Sequence, residues 1–250
     1  MKVTQVSDLE KIRAVRMKLT RFMMIYKFAL DEINTKIDIL KQEFHYSYEY
    51  NPIEHVKSRL KTPESIIKKV YRKGYELSLP SIRENVKDIA GIRITCSFTS
   101  DIYEISDMLQ RQKDIKLIEI KDYIKNPKPN GYKSLHLILE VPIFMSDQIE
   151  NVCVEVQIRT IAMDFWASLE HKIYYKYDKE VPQHLLDELK EAAITVSQLD
   201  KKMENIHKEV SQIKEPLGSK EELQEIFINN EIYHIPDDFI SYGDLGEKAE

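Results

Sequence analysis

Along residues 152–158, Val152, Val154, Val156 and Ile158 alternate with polar neighbours, so they share one side of a predicted strand. Glu155, Gln157 and Arg159 fall on the opposite side. Residues 92–98 repeat the pattern, with Ile92, Ile94, Cys96 and Phe98 set against Arg93, Thr95 and Ser97. Further strands are predicted near 115–120 and 135–141, and helix at 101–111 and from about 160 to 175. Thr62-Pro63-Glu64 opens a short helix with an N-cap, a proline at the first helical position and an acid near the positive end; Gly74 closes it.

Two longer helices flank this mixed α/β segment. In residues 9–44, Ile12, Leu19, Phe22, Tyr26, Leu30, Ile33, Ile37, Leu40 and Phe44 keep mostly three- and four-residue spacing. In residues 183–214, Leu185, Leu189, Ala192, Val196, Leu199, Met203, Ile206, Val210 and Ile213 alternate steps of four and three, a heptad seam. Such a seam packs lengthwise on another helix, either the N-terminal helix of the same chain or a second subunit. The chain divides into a helical region at 1–47, the α/β segment at 48–180, a heptad helix at 181–215 and an acidic extension at 216–250, expected to be partly disordered.

Composition narrows the class. With 42% hydrophobic and 32% charged residues the chain reads as an ordinary globular protein. No apolar run approaches the roughly 18 residues of a membrane span, and the first residues lack the apolar core of a signal peptide. Cys96 and Cys153 lie inside strand-like runs, so buried free thiols are expected, and no Cys/His cluster has zinc-ligand spacing. A cytoplasmic protein with no membrane partner follows. The net charge of −5 conceals an asymmetry: residues 215–250 contribute −8, leaving residues 1–214 at +3, which suits an anionic substrate.

Candidate chemistry gathers in three places. Lys57, Arg59, Lys61, Lys68, Lys69, Arg72 and Lys73 crowd one capped helix and its lead-in, a density suited to a polyphosphate, with free N–H groups at Ser65. The plain alternative is a solvated face. Asp88 and Glu155 form the natural metal pair, since Mg²⁺ takes one or two carboxylates plus phosphate oxygens and water; alternatively Glu155 simply points outward from a half-exposed sheet. In Asn130-Gly-Tyr-Lys-Ser-Leu-His136, Tyr132 offers a flat face, Lys128 and Lys133 charge, and His136 a hydrogen-bonding ring. A lone histidine at a strand start is more often structural. The Gly-x-Lys-Ser within that loop lacks the upstream glycine of a Walker A motif. No His-Asp dipeptide occurs, which excludes metal phosphohydrolases built on that pair. Met163-Asp-Phe-Trp-Ala-Ser-Leu-Glu-His171 and the tyrosines at 174–177 read as core and rim packing.

Asp88-Ile-Ala-Gly-Ile-Arg93, Gly131-Tyr-Lys-Ser-Leu-His136, Val154-Glu-Val-Gln-Ile-Arg-Thr160 and Trp166…Glu170-His171 together resemble the synthetase domain of the RelA/SpoT alarmone synthetases, in the small stand-alone form, over about residues 45–215. The resemblance implies a nucleotidyltransferase-like fold: an α/β (α+β) mixed sheet of about five strands flanked by helices, with long N- and C-terminal helices. It implies transfer of the β,γ-diphosphate of ATP to the ribose 3′-hydroxyl of GDP or GTP, with Mg²⁺ as cofactor, ATP and GDP/GTP as substrates, no requirement for nucleic acid, and assembly as a homo-oligomer, a tetramer.

By position, Arg59 and Arg93 would sandwich adenine, while Lys61, Ser65, Lys69 and Arg72 would hold the ATP phosphates. Asp88 and Glu155 would be the catalytic, metal-binding carboxylates, with Glu155 also taking the 3′-hydroxyl proton. Tyr132 would stack on guanine, near Lys128, Lys133, His136 and Gln157. Members stimulated by their own product use an aromatic residue and an asparagine where this chain has His55 and Asp164. Such stimulation is not expected here, because a carboxylate repels an anionic effector. The competing readings are a nucleotidyltransferase that adds NMP to an acceptor, and an RNA- or nucleotide-binding module using the basic run.

Overall fold

The computed structural model describes residues 2–47, 50–175, 181–213, 225–228 and 231–235. Tyr177, the break at Pro216 and Gly218, and most of the acidic extension lie outside the described residues. The element order is α1 (Lys2–Ser47), β1 (Ile53–Leu60), α2 (Pro63–Lys73), α3 (Leu79–Asn85), β2 (Ala90–Cys96), α4 (Thr99–Arg111), β3 (Lys116–Asp122), β4 (Leu135–Phe144), β5 (Ile149–Thr160), α5 (Ile161–Tyr175), α6 (Gln183–Ile213), β6 (Glu225–Ile228) and β7 (Glu231–His234). The first five strands form one sheet in the order β1-β2-β5-β4-β3. Its β2–β5 pair is parallel and its other pairs antiparallel. This is the expected mixed five-stranded α/β sheet.

Period-two alternation gives the sheet its two unlike faces. Ile92, Ile94, Leu137, Leu139, Val154, Val156 and Ile158 are buried on one of them. There they join Ile25, Tyr26, Ala29, Ile33 and Ile37 of α1 and Ile102, Ile105 and Leu109 of α4 in a single core. Burying that many aliphatic side chains, at roughly 1.5–3 kcal/mol each, is the main stabilisation of the fold. Lys36 pairs with Asp114 at 2.7 Å, tying α1 to the turn before β3. The stripe predicted along α1 is buried only from Phe22 onward, whereas Ile12 and Leu19 are exposed, so the helix runs well past the core it covers.

Three features depart from the sequence expectations. Strand β1 occupies a stretch read only as lead-in to the basic helix, and α3 was not anticipated. The seam of α6 is packed only in part: its Leu189 and Val196, with Ala193 beside them, lie against Trp166 and Ala167 of α5. Leu199, Met203, Ile206 and Val210 are about half exposed. Within the acidic extension, β6 and β7 pair antiparallel. Cys96 and Cys153 are free and buried, as expected.

Candidate active site

The polar face of the sheet is a grid set by strand register. One row runs Lys57, Arg93, Gln157, His136 and Lys121 across the strands β1, β2, β5, β4 and β3. The adjoining row runs Arg59, Gly91, Glu155 and Ile138. Gly91 thus separates a guanidinium from a carboxylate, and its missing side chain leaves the floor between them open. A Cβ there would meet only the Arg59 carbonyl, at 3.8 Å, so the space and not the backbone is what glycine preserves. Above it lies a cleft of about 340 Å³ lined by Lys57, Arg59, Lys61, Asp88, Arg93, Glu155 and Gln157.

Both candidate carboxylates line this cleft, each already engaged. Asp88 accepts from Lys61 Nζ at 2.5 Å and Lys69 Nζ at 2.8 Å. Burial raises its pKa, but the two ammonium groups outweigh burial and hold it below the usual range. Glu155 accepts from Gln157 Nε2 at 2.8 Å and lies 3.4 Å from His136 Nδ1. Burial again pushes upward, the His136 and Gln157 contacts reverse it, and Asp88 pushes weakly upward. Glu155 is therefore ionised at neutral pH, and the two carboxylates feel each other's charge.

The glycine-tyrosine loop stands at the far edge of the grid. The Tyr132 hydroxyl is 2.8 Å from His136 Nε2, and Tyr123 meets both rings edge-on. Lys128 Nζ lies 4.7 Å from the centroids of both Tyr123 and Tyr132. Lys133 turns toward α6, where its Nζ donates to Ser197 Oγ at 2.5 Å. With Lys128 it borders a second cavity, of about 540 Å³, between the loop and that helix. Ser65 sits in the first turn of α2, its N–H bonded to Thr62 Oγ1 at 3.3 Å, and Arg72 is exposed on the same helix. Neither lines the cleft.

Three neighbours had no part in the site as read from the sequence, where Asp164 figured only as a charge that repels an effector. Arg159 is 4% exposed and binds the Tyr132 hydroxyl, the Gln157 amide oxygen and Asp164. Asp164 also takes Arg93, at 3.1 Å. Its charge is thus spent inside the molecule. Tyr123 is the third, packed against Tyr132 and His136. The alternation put Arg159 on the polar face, but a period of two gives no hint that α5 buries that end of the face.

Four likenesses accompany this geometry. Residues 58–180 match the profile described as "Region found in RelA / SpoT proteins". The GTP pyrophosphokinase YwaC of Bacillus subtilis (strain 168) is 51% identical over 205 residues, covering 82% of this chain and 98% of that protein. The crystal structure of small alarmone synthetase 2 from B. subtilis superposes with a TM-score of 0.69 at 53% identity, over 75% of this chain and 96% of that one. Small alarmone synthetase 1 of the same organism, crystallised with its product pppGpp, gives a TM-score of 0.72 at 37% identity, over 77% of this chain and 98% of that one.

Proposed function

This chain belongs to the RelA/SpoT family of alarmone synthetases, and from that premise we propose that it moves the β,γ-diphosphate of ATP to the ribose 3′-hydroxyl of GDP or GTP, releasing AMP. It is a GTP pyrophosphokinase, an enzyme of (p)ppGpp synthesis. The observation that supports the chemistry best is one cleft lined by both Asp88 and Glu155 together with Lys57, Arg59, Lys61 and Arg93. Such transfers need alignment and neutralised charge more than covalent help, and this surface offers both.

Asp88 and Glu155 would hold Mg²⁺. Among the described residues no three His, Cys, Asp or Glu side chains converge as a metal site. The fit is therefore to a cation with two carboxylates whose remaining positions go to ATP phosphates and water, the manner in which Mg²⁺ binds. When bound, the ion offsets charge on the migrating phosphates and on the departing AMP. Glu155, held ionised by its neighbours, accepts the 3′-hydroxyl proton and so makes a weak nucleophile competent. Lys61 and Lys69 exchange Asp88 for phosphate oxygens, joined by Ser65 and Arg72 at the head and outer face of α2. Arg59 and Arg93 flank the adenine. Tyr132 stacks on guanine once Lys128 swings from its ring toward the nucleotide phosphates, near Lys133, His136 and Gln157.

The open seam of α6 and the bare Leu9, Ile12 and Val15 of α1 support a homo-oligomer, which we assign as a tetramer. No helix of the described residues is long and apolar enough to cross a membrane, in keeping with a cytoplasmic enzyme. The test is product identity: with ATP, Mg²⁺ and GDP or GTP the enzyme yields AMP and a 3′-diphosphorylated guanine nucleotide. Release of pyrophosphate with an NMP adduct would assign it instead to nucleotidyl transfer, and absence of any product from folded protein would refute the proposal.

A further inference from the structure

Arg159 is an expensive residue to bury, and each part of its guanidinium has a partner. Nη2 donates to the Tyr132 hydroxyl and to Gln157 Oε1, both at 2.6 Å, Nε to Ser134 Oγ at 3.3 Å, and Nη1 to Asp164 Oδ1 at 3.2 Å. The same Asp164 oxygen pairs ionically with Arg93 Nη1 at 3.1 Å. One carboxylate oxygen therefore bridges two guanidiniums that would otherwise repel each other across a partly desolvated space. The Arg93 Nε is buried with no hydrogen-bond partner among the described residues.

On the other side the connection continues. The same phenol oxygen that accepts from Arg159 lies 2.8 Å from His136 Nε2. The other ring nitrogen, His136 Nδ1, lies 3.4 Å from Glu155 Oε1. An unbroken line of polar contacts thus runs Arg93, Asp164, Arg159, Tyr132, His136, Glu155. It joins the group assigned to adenine with the group assigned to guanine and ends on the proposed base.

We propose that Arg159 and Asp164 are a positioning pair, which touches neither nucleotide and sets Arg93 and Tyr132 in one mutual geometry. Asp164 serves both subsites at once because its single oxygen sits between the two arginines. Arg159 sets the hydroxyl of Tyr132, and through it the ring of His136. The pair rests on the reading that this cleft transfers pyrophosphate between ATP and a guanine nucleotide.

The experiment compares steady-state kinetics of wild type, Asp164→Asn, Tyr132→Phe and the double variant, varying ATP and GDP separately. Asp164→Asn keeps the shape and removes the charge. It should raise KM for both nucleotides, by about tenfold each, the size expected for a lost charge-assisted contact, while melting within a few degrees of wild type. Tyr132→Phe should raise KM for GDP alone. The double variant should be no worse toward GDP than the poorer single variant, because both cut one connection. Arg159→Lys, which keeps the charge but not the fork, should affect GDP more than ATP. Effects of Asp164→Asn confined to one nucleotide or to neither would overturn the pair, as would multiplying losses in the double variant or a loss of folded protein with KM unchanged. A wild-type enzyme that forms no product would instead remove the reading beneath it.

Discussion

At the scale of single residues, the site depends on what is missing as much as on what is present. Gly131 holds φ +89°, a left-handed conformation, and a Cβ built there would lie 2.5 Å from Ala193 Cβ. Both facts fix the loop that presents Lys128, Tyr132 and Lys133 against α6. Gly131→Ala should therefore cost about 1–3 kcal/mol through backbone strain and overpacking, lower the melting temperature and raise KM for the guanine nucleotide several-fold. Ala193→Gly should restore part of the loss, since it removes the clash but not the strain. Calorimetry and kinetics together check this, and a Gly131→Ala enzyme with wild-type melting and KM would contradict it. The sequence made Gly131 visible as a loop residue and said nothing of Ala193, because the contact spans residues far apart in the chain. Glu155 and Arg93 were legible for the opposite reason, and Asp88 from its place just ahead of β2. Charges placed within alternating strands betray a face that solvent alone does not explain.

At the scale of elements, local pattern found what local forces make. The N-cap and proline of α2 appear where Thr62-Pro63 placed them, with the Gly74 cap at φ 69°. Strand β5 alternates as read. Strand β1 escaped because its alternation is broken twice. A register shift falls between Ile53 and His55, and Ser58, on the inner side, bonds Asn34 of α1 at 2.8 Å. Seven-residue α3 is too short for its apolar spacing to register, although Ser78 caps it as Thr62 caps α2. The seam of α6 was plain in the sequence, while its partner was not: periodicity declares that a helix wants a neighbour and leaves open which one. With Leu199 53% and Ile206 45% exposed, that neighbour is still wanting. Replacing both by Glu should shift the enzyme to a smaller species in sedimentation velocity, since each apolar side chain withheld from an interface forfeits roughly 1.5–3 kcal/mol. An unchanged mass would contradict the proposed subunit contact along this seam.

At the scale of the whole molecule, one sheet does two jobs. Its apolar face, closed by α1 and α4, holds the fold, and that leaves the polar face free to carry charge the core would never tolerate. Strand order explains why residues distant in sequence meet. The parallel β2–β5 pair sets Gly91 beside Glu155 and Arg93 beside Gln157, while β1 and β4 on either side add Arg59 and His136. The two faces separate stability from chemistry, so a change confined to Glu155 can remove the reaction and leave the protein folded. The most direct measurement follows γ-labelled ATP with GDP and Mg²⁺ in wild type and Glu155→Gln. The wild-type enzyme should place the label on the guanine nucleotide and release unlabelled AMP, and the folded variant should do so at least about 100-fold more slowly, as loss of a general base implies. Label appearing only in free phosphate or pyrophosphate, or a Glu155→Gln enzyme transferring at the wild-type rate, would contradict the account.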